Sequence, residues 1–199
     1  MAPNPELSLA EAGGLPRLFV WAGRPRSLWI LAALTLISGA AMLPAMITMA
    51  DHGASLIAFE NAGTVARSEE ILAEWGAAGK AAAWWQLALD VPFLIGYGLF
   101  AAGACAAVAR RAARVGKSWL RRAAAVLAWF GPVAAVADLL QNISLALILA
   151  GHVAQPWSRI AATSGPTVNG LMAIALIFAL AGTAATREQP AEVTRAELD

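Results

Sequence analysis

The chain holds one cysteine, Cys105, one tyrosine, Tyr97, and two histidines, His52 and His152. A single thiol excludes an intramolecular disulfide, a CxxC redox pair and any metal site built from several cysteines. Haem gripped between helices needs histidine within those helices, and both histidines fall at the ends of apolar runs. His52, Asp51 and His152 together have the chemistry of a surface zinc site. Loop histidines are ordinarily solvated, however, so no metal and no cofactor are expected. Charge is also scarce: Asp, Glu, Lys and Arg make up 14% of the residues, against about a quarter in a soluble domain.

Oil takes the place of charge. Hydrophobic residues make up 59% of the 199, and the mean hydropathy is +0.63. Crossing about 30 Å of hydrocarbon takes roughly 20 helical residues, and four runs meet that length, near residues 28–50, 81–108, 123–151 and 166–186. The first run, of 23 residues, outlasts the roughly 7 to 15 apolar residues of a secretion signal and is expected to stay as a span. The expected fold is an all-α, integral membrane four-helix bundle over 28–186. A segment at 1–27 precedes it and a polar tail at 187–199 follows.

Net charge is only +1, yet its distribution is lopsided. Six basic residues, Arg110, Arg111, Arg114, Lys117, Arg121 and Arg122, crowd the connection between the second and third runs. With Arg17, Arg24, Arg26, Arg187 and Arg195, eleven of the fourteen basic residues fall on one side of a four-span topology, and Arg67, Lys80 and Arg159 on the other. Positively charged loops stay in the cytoplasm, which puts both termini inside. The clusters suit anionic lipid headgroups. With no soluble domain to present them, nucleic acid is not an expected partner.

The first outer loop, residues 51–80, is acidic. Within it "TVARSEEILAEWG" sets Val65, Ile71, Leu72 and Trp75 against Arg67, Glu69, Glu70 and Glu74, the pattern of a short amphipathic helix ended by Gly76. "LPRLFVW" near the start reads as an interfacial anchor. Trp29 and Trp119 fall at one predicted water boundary, and Trp84, Trp85 and Trp157 at the other, as an aromatic belt does. Pro44, Pro92 and Pro132 interrupt three of the runs, and each is expected to free a carbonyl one turn earlier. After Pro166, Thr167 and Asn169 read as caps for the fourth span.

Against this background a few polar residues stand out. In "WWQLALDVPFLIGYGLF" the residues Gln86, Asp90, Phe93 and Tyr97 recur at helical spacing, and in "ADLLQNISL" so do Asp138, Gln141, Asn142 and Leu145. A carboxylate at mid-span costs at least about 2.5 to 3.5 kcal/mol, so such residues turn inward toward partners. Counted from Ala81 and Gly151, the outer ends of the two runs, Asp90 and Asn142 both lie nine residues in, Asp138 thirteen and Tyr97 sixteen. Neighbouring antiparallel helices would therefore set Asp90 beside Gln141 and Asn142, and Asp138 within reach of the Tyr97 hydroxyl. Gln86 would extend the polar track outward.

The segments "LDVPFLIGYGLF" and "ADLLQNISLALIL" resemble a pattern found in uncharacterised bacterial four-span membrane proteins. In that pattern an aspartate and a tyrosine share one helix, and an Asp, acidic or amide, Asn group occupies the next. The resemblance implies a multi-pass protein of a bacterial inner membrane and a site at Asp90, Tyr97, Asp138 and Asn142. It implies no activity, and Gln141 stands where relatives carry an acid.

Three readings remain open for the polar residues. They bind a small amphipathic or lipid-like ligand, they serve as the acid and base of a membrane enzyme acting on such a molecule, or they form an interhelical clamp. A full pore is disfavoured, because "GLFAAGACAAVA" beyond Tyr97 offers no chain of proton acceptors. Membrane lipids and one small ligand are the expected partners.

Overall fold

The computed structural model describes residues 14–187. The polar tail and the first part of the N-terminal segment lie outside them. Among the described residues seven helices follow one another: α1 (Arg17–Ala22), α2 (Pro25–Asp51), α3 (Leu56–Glu60), α4 (Val65–Arg114), α5 (Ser118–Leu127), α6 (Phe130–Leu149) and α7 (Gln155–Ala185). Four helical stretches among them are long and apolar enough to cross a membrane: α2, α4, α5 with α6, and α7. The chain is an all-α, multi-pass bundle.

The central helix is α4. Of its most apolar window 56% is buried within the protein, against 22% in α2, 22% in α5 with α6, and 17% in α7. The other helices therefore surround α4 and keep oily outer faces, as Leu36, Ile37, Ile177 and Leu180 show by their exposure. That pattern is inverted relative to a soluble protein and matches burial in lipid. Small residues let α4 approach its neighbours. A Cβ on Gly98 would lie 2.9 Å from the Ala135 Cβ and 3.1 Å from the Gly131 carbonyl oxygen, and Gly131 faces Gly98 in the same crossing. Close packing through glycine is how helices associate where lipid removes the hydrophobic drive.

Several boundaries differ from the sequence reading. The second span is longer at both ends, and its helix starts in the loop at Val65 with the Thr64 hydroxyl accepting from the Arg67 amide at 3.3 Å. Gly76, at φ 54 and ψ −150, interrupts it, while Pro92 is passed with helical dihedrals. The third span breaks between Leu127 and Phe130, so Pro132 falls in the first turn of α6, where no intrahelical donor is missed. The fourth span begins at Gln155 rather than Pro166. Low hydropathy hid its first turns, which are held by protein contacts: the Ser158 and Ser68 hydroxyls meet at 3.1 Å, and the Gln155 side chain donates to the Gly63 carbonyl at 2.8 Å. Thr167 and Asn169 consequently cap nothing. The Thr167 hydroxyl donates back to the Thr163 carbonyl at 3.0 Å, one turn earlier in the same helix.

At one end of the bundle Phe59, Ile71 and Trp75 from the long connection pack on Met49 and Ile148. The Trp75 indole donates to the Ala54 carbonyl at 2.6 Å, which fastens the turn leading into α3. At the other end the anchor segment does not lie apart on the surface. Phe19, Val20 and Ala22 of α1 are buried, while Leu18 and Trp21 stay exposed. Trp129, half exposed, meets Phe19 edge to face at 4.9 Å.

Candidate functional site

Between α4, α6 and α7 lies a cavity of about 340 Å³, and the polar residues of the second and third spans converge on it. The glycine crossing of α4 and α6 brings the two polar stripes face to face. Tyr97 donates its hydroxyl to Asp138 Oδ2 at 2.8 Å. The Asn142 side-chain amide donates to Asp90 Oδ2. Both pairings follow from the depth arithmetic of antiparallel helices.

Asp90, Tyr97, Asp138 and Gln141 line the cavity. Asn142 does not; it holds Asp90 through its hydrogen bond. Gln86 is buried but lies outside the lining, and its Oε1 has no hydrogen-bond partner among the described residues. The polar track expected to run outward through Gln86 thus stops at Asp90. Gln141 is more informative. It is only 4% exposed, faces the cavity with its amide against Gly165, and makes no side-chain hydrogen bond among the described residues. Both amide functions are open to the cavity and free to meet a partner that enters it.

Two further walls were not anticipated. One is α7, which contributes Gly165, Val168, Asn169 and Met172. Their spacing of three, one and three is a single helical face, legible only once the helix is known to begin before Pro166. Asn169 is also exposed, so the cavity opens beside α7. The other is Glu60, the last residue of α3. Ser55 starts that helix by accepting from the Ala58 amide at 3.2 Å, and Leu56 and Phe59 bury its apolar side. Glu60 is thereby carried over the cavity. Burial, reinforced by Asp138 and Asp90, pushes its carboxyl up from 4.5 to about 7. Its loop neighbours behave differently: Glu70 and Glu74 pair with Arg67 at 2.6 and 3.6 Å on the surface.

Three carboxyls therefore line one small space, and among the described residues no basic one does. Comparison with protein-family models, curated proteins and solved structures finds no match. Chemistry is left to the residues themselves. Among the described residues no group of three or more histidines, cysteines and acids is close enough to hold a metal ion. The His52 ring nitrogen hydrogen-bonds the Thr48 carbonyl at 2.7 Å. Phe93 and Tyr97 stand edge to face, with ring centres 5.3 Å apart. With Val168 and Met172 they form an apolar flank to an acidic pole.

Proposed function

We propose that the cavity binds a small amphipathic molecule with a cationic head, such as an organic ammonium. The single observation that carries this is the lining: Glu60, Asp90 and Asp138 around a space that also receives the amide of Gln141, with no basic side chain among the described residues. A positive head would lower the cost of ionising acids that otherwise repel one another in a poorly solvated site. The aromatic rings of Phe93 and Tyr97 beside the acids would add attraction for an ammonium. The volume lies at the small end of ligand pockets, which suits a head and its first methylenes, the remainder extending past Asn169.

An interhelical clamp accounts for the Tyr97–Asp138 and Asp90–Asn142 hydrogen bonds. It gives no reason for Glu60 to be drawn over the cavity, or for Gln141 to be left without a partner. We place the protein in a bacterial inner membrane with both termini cytoplasmic, on the strength of its arginine-rich end. Purified Asp90→Asn and Asp138→Asn variants, compared with the native protein by mass spectrometry of co-purifying small molecules and by melting in detergent, test the reading. Loss of a cationic amphipath at nearly normal melting temperature supports it. Lower melting with no change in bound molecules supports the clamp.

A further inference from the structure

A second and larger cavity, about 500 Å³, lies at the opposite end of the bundle, where α2 meets the last turns of α4. Ala107, Arg110, Arg111 and Arg114 share one face of α4 there, at i, i+3, i+4 and i+7. Arg110 forms the fixed base of the pocket. Its guanidinium donates to the carbonyls of Val20, at 3.2 Å, and Gly23. A side chain at Gly23 would collide with it, since a Cβ would sit 2.9 Å from Arg110 Nη1. Arg111 and Arg114 are exposed above it, and Arg111 is steadied by a 3.2 Å bond to the Thr183 hydroxyl.

Among the described residues the electrostatic setting has one sign. The helix ends gathered here carry Arg17, Arg24, Arg26, Arg110, Arg111, Arg114, Lys117, Arg121, Arg122 and Arg187, and no acid among the described residues. Lys117 reaches the Ala185 carbonyl at 2.8 Å, which ties α7 into the same end. The nearest acid on α4 itself is Asp90, twenty residues before Arg110, or about 30 Å along the helix. The remaining wall is apolar: Leu28, Trp29 and Ala32 of α2 face Phe100 and Ala107 of α4, extending from the arginines toward the middle of the bundle. Trp29 is 78% exposed and is available to a neighbouring chain.

We propose that this cavity is a specific site for an anionic phospholipid, its phosphate held by Arg111 and Arg114 over the fixed Arg110, and an acyl chain lying between α2 and α4 against Trp29 and Phe100. A free phosphate would use the arginines alone. The continuous oily wall below them is what favours a lipid, and charge complementarity favours an anionic one.

The test uses the full chain in nanodiscs of phosphatidylcholine with a minor fraction of phosphatidylglycerol, and native mass spectrometry to count retained lipid. Native protein is expected to retain phosphatidylglycerol in preference to phosphatidylcholine. The double variant Arg111→Gln with Arg114→Gln is expected to retain it roughly tenfold less well, while Arg121→Gln with Arg122→Gln, the same charge lost on α5 outside the cavity, stays within about twofold of native. Should the first double variant fold poorly, Arg114→Gln alone is expected to give a smaller loss in the same direction. Equal losses in both double variants, equal retention of the two lipids, or displacement of phosphatidylglycerol by inorganic phosphate would each overturn the proposal.

Discussion

Tyr97 and Asp138 meet across the α4–α6 crossing at 2.8 Å, and the residue that follows Tyr97, Gly98, is the one packed against Gly131 of α6. A close helix contact and a buried hydrogen bond are therefore the same local event: glycine brings the backbones together, and the phenol then reaches the carboxyl. Tyr97→Phe keeps the ring and deletes the donor. It is expected to lower stability by about 0.5 to 2 kcal/mol, measured by unfolding in mixed micelles.

Gly131→Ala acts on the other half of that event. A methyl group there runs into the Gly98 carbonyl, so the helices must separate. The expected loss is about 1 to 3 kcal/mol. Solvent accessibility of a reporter cysteine placed at Ala135, in a Cys105→Ala background, should rise with it.

Gln141 separates binding from folding. Its amide faces the cavity and makes no side-chain hydrogen bond among the described residues, so Gln141→Leu is expected to leave stability unchanged or slightly raised. The same substitution should weaken binding of a dodecylammonium probe by roughly tenfold, the worth of one hydrogen bond to a charged group. Calorimetry on one preparation reads both.

Glu60 gives the site a pH dependence of defined sign. Its folded-state pKa is about 7, raised from 4.5, so between those values the native protein holds more proton than the unfolded chain. This group's contribution to stability is fully present below 4.5 and is lost as pH rises through 7. Affinity for a cationic probe moves the other way, strengthening as Glu60 ionises. Glu60→Gln is expected to flatten both trends, which melting and titration across the window will show.

Much of this arrangement is legible in the sequence. Four apolar runs against a 14% charged fraction specify a membrane bundle, and residue counts from Ala81 and Gly151 are enough to pair Asp138 with Tyr97 and Asp90 with Asn142. Both results follow from periodicity and rise, which tertiary context hardly alters. What stayed hidden depended on contacts between distant segments. The first turns of α7 are too polar for a hydropathy reading, yet they are helical because Gln155 and Ser158 find partners near the start of α4. Misplacing that start concealed the face that carries Asn169 to the cavity. Glu60 looked like one more acid in an acidic loop; only the burial of Phe59 and Trp75 beneath the connection decides where it points. Gln86 lies on the stripe by helical spacing, yet the cavity ends one turn short of it.

The most direct measurement is titration of the protein in nanodiscs with dodecyltrimethylammonium and, separately, with dodecyl maltoside, which shares the chain and lacks the charge. Native protein should bind the ammonium saturably and the maltoside far more weakly, with ammonium binding reduced in both Asp90→Asn and Asp138→Asn. Equal binding of the two amphiphiles, or ammonium binding untouched by both substitutions, would contradict a cation-binding cavity.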